Sequence, residues 1–242
     1  MPVRLETRFS PAADRRTPRA CFCFAACVLF ALSGQLPAQA PPAPQAKYIV
    51  VLDAAHGGSD TGAHLANGQL EKTVTLALSV KLRSLLAARG FQVITTRESD
   101  ATIAPDRRAE IANRLQPRAC LSIHASDSGS GVHLFASSLA PAQPQRFVPW
   151  KTVQSQWVTR SLALTGAVNA SLQQAGLTVT LARTALPGLD SMACPAIAIE
   201  LAPDRDAKLT VKSGVDDPAY QSRVAEALAA GLLVWRSEPR QP

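Results

Sequence analysis

The chain has 242 residues, 47% of them apolar and 18% charged, with a formal charge of +7 at neutral pH. That length and balance exclude a disordered or fibrous chain and fit one domain with a sizeable core. The basic excess is small and scattered, so it reads as a solubilising surface charge, and no nucleic-acid partner is expected.

The first forty residues stand apart. Arg4, Arg8, Arg15, Arg16 and Arg19 precede an apolar run from Ala20 to Leu32, and the small-residue site Ala38-Gln39-Ala40 follows. This is the pattern of a signal peptide over residues 1–40, with a Pro-rich linker over 41–46. The apolar run is shorter than the roughly 18 residues that a spanning helix needs, so no stable membrane anchor is expected. The expected location is therefore outside the cytoplasm, periplasmic or associated with the cell wall. Cys21, Cys23 and Cys27 belong to that segment, which leaves Cys120 and Cys194. Both lie in or beside apolar strand-like runs, where a buried inert thiol is the usual case. Whether they form a bridge depends on a distance that the sequence does not contain.

From residue 47 onward, short β-rich runs alternate with helix-period segments. This is the signature of an α/β fold, a single layered domain with a mostly parallel twisted sheet flanked by helices. Tyr48 to Leu52 reads as a buried strand. Glu71 to Arg89 reads as a helix with Val74, Leu78, Leu82, Leu85 and Leu86 on one stripe, stopped by Gly90. Phe91 to Thr95 is the next strand, Pro105 to Leu115 a second helix, and Ala119 to Ile123 and Val132 to Ala136 two further strands. Gly129-Ser130-Gly131 reads as a flexible lead-in to the last of these. After a Pro-rich loop from Pro141 to Pro149, a long helix is expected from about Val153 to Gln174. A buried strand over Ala196 to Ile199 and a closing helix over Tyr220 to Trp235 complete a domain spanning 47–236, with 237–242 as a tail.

Three of the strands end in residues with metal or acid–base chemistry. Leu52-Asp53 runs on to His56, Ile123 is followed by His124, and Ile199 by Glu200. Ligands of open α/β sheets bind in the crevice beyond the carboxyl ends of the strands. Glu71, at the start of the first long helix, is a fourth candidate. Two imidazoles and one carboxylate make a three-ligand zinc site with the fourth position left to water, the arrangement of catalytic zinc. Such an ion polarises a carbonyl and acidifies its water, while a second carboxylate, here Glu200, serves as general base. Each residue also has a plainer reading. Glu71 complements a helix N-terminus, and a lone strand-end histidine is more often structural. His64 and His133 read as packing or solvent-facing side chains rather than ligands. Glu200, ending a run as apolar as Pro195 to Ile199, is hard to hold near a core without a partner.

The stretch Val51-Leu52-Asp53-Ala54-Ala55-His56-Gly57-Gly58-Ser59-Asp60-Thr61-Gly62-Ala63 resembles the opening motif of the zinc-dependent N-acetylmuramoyl-L-alanine amidases of the amidase-3 type. Glu71-Lys72, Thr96-Arg97, Arg108 with Ala112-Asn113, Ser122-Ile123-His124-Ala125-Ser126, Pro195 to Glu200, and Tyr220-Gln221 follow in that family's order. The resemblance implies one zinc held by His56, Glu71 and His124, with Glu200 as the catalytic carboxylate. The bond it implies is the amide between muramic acid and L-alanine in peptidoglycan. Two departures stand out. Ala54-Ala55 replaces the family's Pro-Gly, which matters if that turn needs a positive φ. Leu201-Ala202-Pro203-Asp204 replaces its usual continuation after the glutamate. The segment from Ala136 to Val153 is too short and Pro-rich for the helical insertion that covers the zinc in some members, so no activator partner is expected.

Two other readings compete. A zinc carboxypeptidase or other amidohydrolase requires a carboxylate-binding arginine, for which Arg97, Arg108 or Arg183 are candidates. A catalytically silent wall-binding protein draws its support from the two departures.

Overall fold

The computed structural model describes residues 48–66 and 68–238, so the expected signal segment and Pro-rich linker lie outside the described residues. Six strands form one sheet: β1 (Ile49–Ala54), β2 (Gln92–Thr95), β3 (Ala119–Ala125), β4 (Val132–Ser137), β5 (Val179–Thr184) and β6 (Ala196–Leu201). Their order across the sheet is β2-β1-β3-β6-β4-β5. Every neighbouring pair is parallel except β4 with β6, which is antiparallel. The expectation of a mostly parallel sheet flanked by helices holds.

Alternation along the strands divides the core between two faces. Val50 and Leu52 of β1 join Leu121, Ile123, Ile197 and Ile199 in the larger cluster. There they meet α1 (Glu71–Ala88), α3 (Val158–Gln174) and α5 (Pro218–Ser237) through stripes such as Val74, Leu78, Leu82 and Leu86. Val51, Cys120, Ala196 and Ala198 point the other way, into a smaller cluster with α2 (Pro105–Asn113) and the single turn α4 (Pro187–Asp190). Asp53, Ser122, His124 and Glu200 belong to this second face by the period of two.

The last helix is started by Asp217, whose carboxylate accepts from the backbone N–H groups of Ala219 and Tyr220, with Pro218 in the first turn. The buried Tyr220 hydroxyl donates to Ala202 O at 2.9 Å, which fixes the chain just beyond β6.

The structure corrects one expectation, adds a strand and decides the state of the two cysteines. The helix expected from Val153 is a 3-10 turn, Trp150–Gln156, followed by α3. The tighter winding turns Gln154 fully inward, where its amide donates to Met192 O and Cys194 O and its carbonyl accepts from Ser161 Oγ. Strand β5 lacks an apolar pattern because it lies at the sheet edge with most of its residues exposed. Finally, Cys120 and Cys194 are not free thiols but a disulfide across 74 residues, with Cα atoms 6.4 Å apart. Strands β3 and β6 are adjacent, and Cys120 pairs with Ala196, so sheet topology alone brings the two sulfurs together.

Closing so long a loop constrains the unfolded chain. Replacing both Cys120 and Cys194 by Ala should lower the unfolding free energy by about 2 to 4 kcal/mol, read as an earlier midpoint in urea. An unchanged midpoint would mean that the bond adds nothing to the folded state.

Candidate metal centre

At the carboxyl end of β1 the chain turns sharply. The change from Pro-Gly to Ala54-Ala55 does no harm to this turn, because the left-handed φ falls on His56 (62°) and Ala55 is not in that region. Two buried arginines pin the turn. The Arg97 guanidinium donates to Ala54 O, Ala55 O and Lys72 O. That of Arg108 donates to Ala54 O, His56 O and the Asp53 carboxylate. His56, a non-glycine residue in an uncommon conformation, is thereby held by its surroundings.

His56, Glu71 and His124 converge, and one ligand atom from each lies within 4.8 Å of the others. His56 Nε2 stands 3.1 Å from Glu71 Oε2, and His124 Nδ1 stands 3.0 Å from Glu71 Oε1. Ligand atoms about 2.0 Å from a tetrahedral zinc lie roughly 3.3 Å from one another, so these separations fit a first-row metal ion. The donor set, two imidazoles and one carboxylate, suits the same class of ion.

Each ligand is oriented from behind. His56 Nδ1 bonds the Asp60 carboxylate at 2.9 Å, which leaves Nε2 turned inward as the acceptor. His124 Nε2 lies 3.4 Å from Ser122 Oγ, which donates to Asp53 Oδ2 at 3.0 Å. Asp53 Oδ1 in turn accepts from Thr96 Oγ1 and Arg108, both at 2.7 Å. Burial pushes the Glu71 carboxyl up, but hydrogen bonds from His124 and from the backbone N–H groups of Ala63 and Ala125 together hold it below the usual carboxylate range. It is therefore ionised and ready to ligate at neutral pH.

Glu200 lies on the neighbouring strand, in register with His124. It is not among the three converging residues, and its carboxylate accepts from Ser126 Oγ and from His133 Nδ1 instead. His133 is thus more than the packing or solvent-facing side chain that the sequence suggests. It stands opposite Glu200 in the antiparallel β4–β6 pair, a proximity that only the topology shows. His64, by contrast, is exposed in the loop before α1 and is not among the converging residues. A cleft of about 290 Å³ opens over His56, His124 and Ser122, with Ile103, Leu186, Leu189 and Met192 among its apolar walls.

Residues 50–234 match the family model described as N-acetylmuramoyl-L-alanine amidase. The chain belongs to this family. It is 30% identical over 224 residues to the N-acetylmuramoyl-L-alanine amidase Rv3717 of Mycobacterium tuberculosis, a match covering 81% of this chain and 88% of that protein. Against the amidase AmiA of Escherichia coli it is 41% identical over 96 residues, covering 38% of this chain and only 33% of AmiA. The match thus spans about a third of that relative's length. The structure of the amidase AmiC2 of Nostoc punctiforme superposes with a TM-score of 0.61 at 25% identity, covering 80% of this chain and 99% of that one. The amidase fold and the strand-end position of the cluster thus agree with the family's sequence pattern.

Gly62 closes the cluster. Its φ is +63°, and a Cβ there would stand 2.6 Å from His56 Cδ2 and 2.7 Å from Glu71 Oε2. Gly62→Ala should therefore weaken Zn²⁺ binding by about 10- to 100-fold without removing a ligand, as read by competition with a chromophoric chelator. Unchanged affinity would show that the metal does not use His56 and Glu71 in this arrangement.

Proposed function

We propose that this protein is an exported zinc-dependent N-acetylmuramoyl-L-alanine amidase that cleaves the amide between N-acetylmuramic acid and L-alanine in peptidoglycan. The observation that carries the reading is the convergence of His56, Glu71 and His124 at the strand ends of a chain of this family, with Glu200 beside them. These three residues would hold one zinc ion, which when bound supplies Lewis-acid polarisation of the scissile carbonyl and a more acidic water.

The chain's own residues do the rest. Glu200 takes the proton from the attacking water as its oxygen bonds to the lactyl carbonyl carbon. It then delivers that proton to the amide nitrogen as the C–N bond breaks. The products are a lactyl carboxylate and a stem peptide with a free L-alanine amino group. Asp53 and Ser122 keep His124 turned towards the metal position, and Asp60 does so for His56. Leu186, Leu189 and Met192 form an apolar wall of the cleft beside His56 and His124.

The carboxypeptidase reading lacks its arginine. Arg97 and Arg108 are buried and committed to backbone carbonyls and Asp53, and Arg183 donates to Ser137 O and Leu139 O. Residues 138–149, between β4 and the 3-10 turn, contain no helix that could cover the metal position. Turnover without an activator partner is therefore expected.

The test is mass spectrometry of purified peptidoglycan after incubation with the protein and zinc. Intact stem peptides beginning at L-alanine, absent when zinc is chelated, are expected. Glu200→Gln should keep zinc at one per chain and lower turnover by about 100-fold or more, whereas His124→Ala should lose the metal. Cleavage elsewhere in the stem, or full activity in Glu200→Gln, would overturn the mechanism.

A further inference from the structure

Glu200 is flanked on both sides in the sheet. Strand β3 carries His124 at its register on one side, and strand β4 carries His133 on the other. His133 Nδ1 lies 2.9 Å from Glu200 Oε1, and Ser126 Oγ donates to the same oxygen at 3.1 Å. Among the described residues no hydrogen bond falls on Oε2. The carboxylate thus has one oxygen held and the other open.

The imidazole that holds it is itself fixed. The His133 side chain is only 12% exposed, and its ring meets Phe135 edge-on with centroids 6.3 Å apart. Its far edge lies against Gly129, where a Cβ would come within 2.4 Å of His133 Cε1 at a φ of +78°. The segment expected to be a flexible lead-in is therefore a close-packed turn shaped around this ring. A glutamate carboxylate otherwise rotates over a broad range about its last torsion, and a general base has to stay within about 2.6 to 3.2 Å of the proton it takes.

We propose that His133 is a positioning residue, whose Nδ1–H clamps Oε1 of Glu200 so that Oε2 faces the water and the leaving nitrogen. His133 is not among the residues that converge on the metal position, and it acts through Glu200. The inference rests on the proposed role of Glu200 as the catalytic carboxylate. During turnover the proton travels from water to Oε2 and on to the amide nitrogen, while the Nδ1–H bond to Oε1 is kept throughout.

The test compares the zinc-loaded full-length protein with His133→Leu, His133→Asn and Glu200→Gln. His133→Leu should lower kcat on peptidoglycan about 10- to 100-fold, with KM and zinc content unchanged. His133→Asn, whose side-chain amide places an N–H donor where Nδ1 stood, should restore kcat to within about threefold of the parent. A merely structural histidine would lower thermal stability and leave kcat per folded molecule alone, and that result would overturn the proposal. So would a loss confined to KM, or an Asn variant no better than Leu. Activity retained in Glu200→Gln would bring down the catalytic reading itself. An inactive Glu200→Gln beside a fully active His133→Leu would bring down only the positioning role. Should His133→Leu not fold, long-range proton–nitrogen correlation spectra of the parent decide: the proposal requires a proton on His133 Nδ1, and a ring protonated only at Nε2 would overturn it.

Discussion

A carboxylate taken out of water must recover its lost hydration from the protein, and Glu71 is the place where this chain meets that demand. Its side chain is about 8% exposed. Its oxygens accept from the backbone N–H groups of Ala63 and Ala125 and face the imidazoles of His56 and His124. These partners come from the loop before α1, from β1's extension and from the end of β3. This one carboxylate therefore binds three separate chain segments to one point. Were any of them displaced, the carboxylate would lose a partner and move towards its neutral form, and the proposed ligand set would be lost with it.

The same requirement governs the layer beneath. Asp53 ends β1 inside the protein and is balanced by Arg108 at 2.7 Å, with Thr96 and Ser122 filling the remaining acceptor positions. Arg97 has no carboxylate of its own at bonding distance and spends its N–H groups on backbone carbonyls and on Thr75 Oγ1. Burial pushes this guanidinium below its usual range. Two desolvated cations thus face successive carbonyls of the turn and hold it. The Ala54-Ala55 departure costs the turn nothing because its left-handed φ falls on His56, and the hydrogen bonds of the two arginines hold that residue in place.

What could be read from the sequence follows from what leaves a local mark. Strands β1, β3 and β6 are nearly continuous apolar runs, and α1 repeats leucine at helical spacing, so their positions and type were legible to within a few residues. The candidate ligands were legible because a polar residue ending such a run needs a reason. Strand β5, largely solvent-facing, carries no such mark. Nor do pairings whose meaning lies in the sheet order. Cys120 and Cys194 are distant in sequence and adjacent only because β6 docks beside β3. His133 gives no signal as a partner for Glu200, because which strand flanks β6, and in which direction, is not written in either segment.

That direction matters for the chemistry. A parallel strand reaches the crevice with its carboxyl end, as β1 and β3 do. It thereafter feeds a loop whose backbone must turn away over the site. The antiparallel β4 arrives with its beginning: His133 is its second residue, lying beside the fifth residue of β6. The side chain at Glu200's flank is thus anchored by a strand that runs from the crevice into the core, with the compact turn at Gly129 to Gly131 outside it. The parallel strands β1 and β3 lead to His56 and His124, and α1 supplies Glu71 as its first residue. The one antiparallel neighbour supplies a rigid partner for Glu200, so the carboxylate is held from the side that the metal position leaves free. A sheet parallel throughout would place a strand's last residues there, and with them a loop whose freedom the carboxylate would share.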